Sequence, residues 1–182
     1  MNANKLKIKT ATIEDIPEII KINDDYLEYD SKNGFLITPS NGDKFKAHIL
    51  NHPDTISIAT TRDEVVVGFL EVSPTVGDSV IHVLNWKDQN YKKIFENRKK
   101  IYIEKVAVRR DYLRHKVASF LFESLFAKYQ KSIFYSFIVE KPVKNKASLN
   151  FHKKLGFREV AIFRVDEFLG IKNYQSIMLM KW

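Results

Sequence analysis

The chain has 182 residues and a mass of 21.3 kDa, with 45% hydrophobic and 29% charged residues, the proportions of a folded globular protein and not of a disordered or fibrous one. It contains no cysteine, which excludes disulfides, thiolate metal sites, iron–sulfur clusters and a cysteine nucleophile. Lys and Arg number 30 against 22 Asp and Glu, a formal charge of +8 with a sequence pI near 9.5, so an anionic partner is expected: nucleic acid, a lipid surface or a phosphorylated cofactor.

Lys5, Lys7 and Lys9 alternate with Leu6, Ile8 and Thr10, the period of a half-buried strand, and the opening lacks the continuous apolar core of a secretion signal. Thr12-Ile-Glu-Asp15 has a hydroxyl before the first turn and carboxylates within it. Ile13, Ile16 and Ile20 follow at helical spacing and predict a helix over 13–29. The stretch 30–43, with Ser31, Gly34, Pro39, Ser40 and Gly42, reads as a loop, and 44–51 as a short helix ended by His52-Pro53. Residues 55–61 and 64–72, rich in β-branched and aromatic side chains, suit a hairpin about Arg62-Asp63.

Between 74 and 100 the pattern is mixed, with a turn at Gly77-Asp78, a strand-like stretch over 80–86 and a helix-like one over 88–100. Residues 101–108 form a clear strand, and Val117, Phe120, Leu121, Leu125, Phe126 and Tyr129 then recur as one helix face. A strand over 132–140 and a helix over 145–155 follow, with Gly156 placed for a left-handed cap, and strands over 157–164 and 174–182 close the chain. No repeat, low-complexity tract or linker interrupts this order. The apolar runs at 160–163 and 177–180 fall far short of the roughly 20 residues of a bilayer span. The order predicts one mixed α/β sheet with helices on its faces, in a single domain over 1–182, with no membrane association and a cytoplasmic location by default.

Two segments carry chemistry. The first is the strand, basic turn and amphipathic helix over 103–121, where Arg109, Arg110, Arg114 and Lys116 surround a helix N-terminus whose unpaired N–H groups suit a phosphate. The second is Asn145-Lys-Ala-Ser-Leu-Asn-Phe-His-Lys-Lys-Leu-Gly-Phe157, a helix ending in Gly-Phe just before a strand.

Together they resemble the GCN5-related N-acetyltransferase (GNAT) family, and the likeness covers nearly the whole chain. Ala11-Thr-Ile-Glu-Asp15 with Ile19-Ile20 is similar to the family's first strand-to-helix junction. Val106-Ala-Val108 and Tyr112 are similar to the end of its fourth strand and the turn into its pyrophosphate loop. Asn145, Ser148, Phe151, His152, Leu155, Gly156 and Phe157 match its second motif. The family's loop pattern has Arg or Gln, two variable residues, Gly, one variable residue, then Gly or Ala. Leu113, Lys116 and Ala118 stand in those places, and only Ala118 fits. A positive φ at Lys116 would cost about 1 kcal/mol, which charge contacts to phosphate would offset. The plain alternative is a loop that no longer binds cofactor. The basic residues and the intact second motif favour retention.

The resemblance implies a mixed, mostly antiparallel sheet of six or seven strands flanked by about four helices and splayed between the fourth and fifth strands. It implies transfer of an acetyl group from acetyl-CoA to a primary amine, of a small molecule or a polypeptide N-terminus, by direct attack. The cofactor would lie against Val106, Ala107 and Val108 of the strand. It would also meet Arg114, His115, Lys116, Val117, Ala118 and Ser119 of the loop and helix start, and Asn145 and Ser148 of the second motif.

An alkylammonium acceptor must lose a proton before it attacks, so a base is required. Glu104, mid-strand, and Glu140, five residues before Asn145, both occupy places where family members put theirs. The ordinary reading of either is a solvated carboxylate or an ion pair. His152 takes the place of the family's usual tyrosine acid, where it is either a proton donor or a hydrogen-bonded helix residue. Asp24, Asp25, Glu28 and Asp30 with Tyr26 and Tyr29 form an acidic, aromatic cluster in a region that is part of the family's acceptor wall. Asp25, Tyr26 and Tyr29 are the acceptor-binding candidates, against the reading of a solvated helix face. His48, His52, His82 and His115 show no metal-ligand spacing, and no metal is expected. The rival readings are a basic nucleic-acid-binding module and a GNAT-fold protein that binds acyl-CoA without turnover. On the favoured reading no nucleic acid is bound and the chain is a monomer or homodimer.

Overall fold

Asp15 closes the first helical segment onto its start: its carboxylate accepts from the Thr12 N–H at 2.9 Å and from the Thr12 hydroxyl at 3.1 Å. This cap satisfies a donor the helix itself leaves open. The computed structural model describes residues 6–182, and residues 1–5, with the Lys5 of the expected alternation, lie outside the described residues. The described residues form eight strands and six α-helices, against the six or seven strands and about four helices expected, grouped into two compact units of three chain segments each.

The first unit holds residues up to 28, 36–72 and 104–130. It contains β1 (Lys7–Thr10), a 3₁₀ turn (Ile13–Asp15), α1 (Ile16–Asp24), α2 (Gly42–Asn51), β2 (Ile56–Thr60), β3 (Val66–Ser73) and α5 (Val117–Lys128). It also holds the latter part of β5 (Lys100–Val108), and its strand order is β1-β2-β3-β5. Ile16, Ile19, Ile22 and Tyr26 pack with Phe45 of α2 and with Ile56, Ile58, Phe69 and Ala107 of the strands. Each buried aliphatic side chain of this kind contributes roughly 1.5–3 kcal/mol.

The predicted helix over 13–29 ends early, at Asp24. The Asp24 carboxylate accepts from the Ser40 N–H at 3.1 Å and the Asn23 side chain at 3.1 Å, and the Tyr26 N–H turns back to the Asn23 carbonyl. Local side-chain bonds thus compete with continuation of the helix. Gly68 on β3 permits a close approach: a Cβ there would meet the Ala107 carbonyl and Val117 Cγ1, both at 3.0 Å.

The second unit holds 29–35, 73–103 and 131–182. It contains α3 (Asp78–His82), β4 (Asn85–Trp86), α4 (Gln89–Glu96), the start of β5, β6 (Ile133–Lys141), α6 (Lys146–Lys154), β7 (Arg158–Phe168) and β8 (Ile171–Lys181), in the strand order β5-β6-β8-β7-β4. The unassigned 74–100 stretch supplies the extra strand and two helices. β4 is only two residues long and exists through its pairing with Ala161 and Ile162 of β7. Tyr102, Tyr135, Phe137, Phe163, Phe168 and Tyr174 form a chain of ring contacts at 4.8–6.3 Å between centroids. β5 and β6 run parallel, with pairs Lys100–Ile133, Ile101–Phe134 and Tyr102–Tyr135 within this unit. No helix among the described residues is long and apolar enough to cross a membrane.

Candidate functional site

In the first unit the chain leaves β5 at Val108 and turns through a 3₁₀ segment (Arg110–Tyr112) into α5. Lys116 is the N-cap of α5 and is left-handed, with φ 63° and ψ 14°, the conformation expected if this lysine takes a glycine's place. Arg114 is left-handed too, with φ 65°. No side chain caps the helix, so the N–H groups of Val117, Ala118 and Ser119 keep the open donors of a helix start. Arg114 and Lys116 are exposed and make no ion pair among the described residues, and His115 Nδ1 is buried with no hydrogen-bond partner there. A basic, donor-rich turn of this kind fits a diphosphate.

Upstream of this turn lie Val106, Ala107 and Val108, the end of β5. The Val108 carbonyl accepts a 2.6 Å hydrogen bond from the Tyr26 hydroxyl, and the Arg110 guanidinium lies 5.0 Å over the Tyr26 ring while donating to the Asp25 carbonyl. Tyr26 is therefore buried and engaged, and Asp25 is exposed beyond the end of α1.

Glu104, on the same strand, lies beside a charged cluster. The Glu71 carboxylate on β3 is paired with His48 Nδ1 of α2 at 2.9 Å and with Lys105 Nζ at 3.9 Å. Part of Glu104 reaches solvent. Its carboxyl is nonetheless held above the ordinary value, first by the protein packed about it and next by the charge of Glu71, with Lys105 and His48 pulling the other way. The hydrogen bond to Glu71 raises His48. Among the described residues no group of three or more His, Asp or Glu side chains is arranged to hold a metal ion.

In the second unit, Glu140 at the end of β6 accepts from Lys144 Nζ at 3.0 Å and from the Gln175 amide, whose own oxygen accepts from Arg164 Nε at 2.9 Å. Asn145 caps α6, accepting from the Ser148 N–H at 3.1 Å, and donates to the Phe35 carbonyl at 2.9 Å. His152, 1% exposed, places Nδ1 2.8 Å from the Ser148 carbonyl, and burial pushes the imidazole down to about 4. It is neutral at physiological pH, with the Nδ1 proton donated one turn back. The Ser148 hydroxyl lies 3.4 Å from the same nitrogen. Tyr29 is exposed and meets Phe35 edge-on at 4.9 Å.

The sequence thus located the turn, the strand and both glutamates, while Arg114's conformation and the partners of Glu71 and His48 come only from the tertiary arrangement. A basic, uncapped helix start thus follows the last strand of the first unit's sheet. The family model described as acetyltransferase (GNAT) family matches residues 18–157, and the chain belongs to that family.

Solved structures agree on the fold. An N-acetyltransferase from Staphylococcus aureus Mu50 is 17% identical with a TM-score of 0.65, covering 97% of each chain. Ard1 from Thermoplasma volcanium is 16% identical with a TM-score of 0.69, again over 97% of each. Arabidopsis thaliana Naa50, solved with the bisubstrate analogue CoA-Ac-MVNAL, is 15% identical with a TM-score of 0.65, over 98% of this chain and 99% of that one. No curated protein sequence matches the chain.

Proposed function

We propose that the chain, as one domain over 1–182, is an acetyl-CoA-dependent N-acetyltransferase that acts on a primary amine of a small molecule or a polypeptide N-terminus by direct attack. The observation that carries this reading is the left-handed, uncapped, basic start of α5 in a chain of the GNAT family. Several solved structures of the same fold were determined with CoA, acetyl-CoA or a bisubstrate analogue, which supports acetyl-CoA as cosubstrate.

Acetyl-CoA, when bound, supplies the activated acyl group as a thioester. The open N–H groups of Val117, Ala118 and Ser119 receive its diphosphate, and Arg114 and Lys116 neutralise it. His115 lends its buried Nδ1 to the same turn. The backbone of Val106, Ala107 and Val108 offers strand-type hydrogen bonds to the cofactor's amide arm and a donor for the developing charge on the carbonyl oxygen. Ser148 is the α6 residue offered to the cofactor, and Asn145 acts by shaping that helix start.

Glu104 is the base that takes the proton from the acceptor ammonium. Its raised proton affinity brings it closer to that task, and its partial exposure gives the proton a way to water. Glu140 is held by Lys144 and Gln175 and orders the end of β6. His152, neutral and buried, fastens α6 internally and is not the acid. Asp25 and Tyr29, both exposed, are the acceptor-binding groups, and Tyr26, the third candidate, is buried with its hydroxyl on the Val108 carbonyl. We place the activity in the cytoplasm.

pH–rate profiles of two isosteric variants test the assignment. Glu104→Gln lowers kcat/KM at neutral pH by about 10²–10⁴-fold and removes the acidic limb, the usual range for a lost general base. Glu140→Gln stays within a few-fold of wild type. A Glu104→Gln enzyme with undiminished turnover would refute the base.

A further inference from the structure

Along the chain the basic residues are scattered, and the fold sorts them. The second unit holds 17 Lys and Arg against 8 Asp and Glu, a formal +9, so it carries the whole surplus of a chain whose net charge is +8. The basic turn at the start of α5 belongs to the first unit and accounts for none of it.

Strand direction gathers much of this charge at one end of the second unit's sheet. Lys100 opens β5 opposite Ile133 of β6, the Ile133 N–H donates to the Lys99 carbonyl at 2.9 Å, and Lys131 stands just before β6. Phe134 faces Lys181 at the end of antiparallel β8, and Arg158, at the start of β7, faces Met180. Lys87, which follows β4, donates its N–H to the Val160 carbonyl at 2.9 Å. Each of the five strands brings a cation to the same end, in a row roughly 20 Å across at about 4.8 Å per strand spacing. The last turn of α6 adds Lys153 and Lys154 beside Lys181, whose ammonium donates to the Leu155 carbonyl at 2.8 Å.

The carboxylates at this end are few and engaged. Glu159 is shared between Lys87 at 2.5 Å and Lys153 at 2.8 Å, Glu96 faces Lys92 at 3.9 Å, and Asp88 caps α4 by accepting from the Asn90 N–H at 2.7 Å. Arg98, Lys99, Lys131 and Lys154 are exposed and make no ion pair among the described residues. Like charges crowded on one face repel, and a polyanion relieves that repulsion. An aromatic surface lies among them. Trp182 is 41% exposed, with the Arg158 guanidinium 5.4 Å over its ring and the Tyr91 ring of α4 at 5.8 Å.

We propose that this end of the sheet binds single-stranded RNA, with its cations along the phosphate backbone and the Trp182 ring against an unpaired base. A row of cations of this length suits a chain of phosphates better than a single anionic group, and an exposed indole beside a guanidinium offers the stacking surface that single-strand binders use. A duplex hides its base faces, whereas RNA loops and ends present them. Such binding departs from the expectation that the chain meets no nucleic acid, and it does not depend on acetyl transfer.

The test titrates the full chain into a fluorescein-labelled single-stranded RNA of mixed sequence, about 20 nucleotides long, and follows anisotropy from about 50 to about 200 mM salt. The logarithm of the association constant should fall with the logarithm of salt at a slope of about −3, the value for about four neutralised phosphates. Lys99→Gln with Lys131→Gln should weaken binding at least about tenfold at the lowest salt and make the slope shallower by about 1.4. Lys44→Gln with Lys46→Gln removes the same charge from exposed α2 lysines in the first unit and should change affinity less than about twofold. Trp182→Ala should weaken binding about five- to 150-fold. Circular dichroism checks the folding of each variant, and the exposed lysine pairs decide alone should Trp182→Ala fail to fold.

Single-stranded DNA of the same sequence, polyglutamate, and vesicles of equal parts phosphatidylcholine and phosphatidylserine serve as competitors. RNA binding that the Lys99 and Lys131 pair and Trp182→Ala weaken, and the α2 pair spares, bears the assignment out. No saturable binding at about 100 mM salt, or equal weakening by the α2 pair, would overturn it. So would displacement of RNA by a lower concentration of DNA, polyglutamate or vesicles than of unlabelled RNA. A folded Trp182→Ala with undiminished affinity would remove the stacked base and with it the choice of a single strand.

Discussion

The Asn145 side chain joins two parts of the second unit: its amide donates to the Phe35 carbonyl at 2.9 Å while its oxygen caps α6 by accepting from the Ser148 N–H at 3.1 Å. The residue is 5% exposed, so both bonds are shielded from water. A position that family resemblance marks for cofactor contact is thus also a structural joint.

Asn145→Ala removes a cap, about 1 kcal/mol, and leaves a buried carbonyl without its donor, about 1–3 kcal/mol. A loss of about 2–3 kcal/mol is expected in urea unfolding. Asn145→Asp keeps the cap but not the donor and should lose less. Equal losses would mean that the cap contributes nothing.

His152 gives the fold an acid sensitivity. Its folded value, about 4, lies below the ordinary 6.5, so between those values the unfolded chain binds more protons than the native one. Stability therefore falls as pH drops from about 6.5 toward about 4, by about 3 kcal/mol in all. His48 has the opposite sign: its raised value gives a contribution that is full below 6.5 and is lost as pH rises through the folded value. Chemical denaturation at a series of pH values checks this, with His152→Phe flattening the acid side and His48→Gln the other.

Lys116 carries strain that a glycine would not. With φ at 63°, Lys116→Gly should raise stability by up to about 1 kcal/mol. Lys116→Glu should weaken acetyl-CoA binding at least about tenfold, since it reverses the charge beside the helix start. Calorimetric titration with acetyl-CoA reads the second effect and thermal unfolding the first. Unchanged affinity in Lys116→Glu would remove the argument that side-chain charge compensates for the missing glycine.

Gly68 tests the packing of α5 on the sheet. A methyl group there stands 3.0 Å from a backbone carbonyl and from Val117, so Gly68→Ala should cost about 1–3 kcal/mol by overpacking. Gly68→Ala combined with Val117→Ala should recover part of that loss, and additive losses in unfolding experiments would argue against direct contact.

Much of this molecule is legible along the chain because its elements are locally encoded. The strand at Lys100–Val108, the apolar face of α5 and the Gly156 turn each follow from side-chain period or backbone freedom. The end of α1 at Asp24 was not legible, since it depends on Ser40 and Thr38 bonding back to that turn. β4 has no sequence pattern of its own and is defined by β7. At the candidate site, Glu104, Glu140 and Lys116 could be named from the resemblance to the family. Which glutamate is tied down could not, because the partners Gln175 and Arg164 of Glu140, and Glu71 and His48 near Glu104, are brought in from distant segments. Arg114's positive φ also escapes a reading that looks for glycine where the chain turns left-handed.

The central claim, that this chain moves acetyl groups from acetyl-CoA to amines, is tested most directly by incubating the purified protein with acetyl-CoA and a panel of primary amines that includes polyamines, amino sugars and peptides. Free thiol and acetylated amine are then quantified together. The account predicts equal amounts of both products with at least one amine, at a rate that falls steeply in Glu104→Gln. Acetyl-CoA that stabilises the protein against heat yet releases no thiol with any amine would contradict transfer and mark a binding protein, and the absence of any stabilisation at millimolar acetyl-CoA would contradict the cofactor site itself.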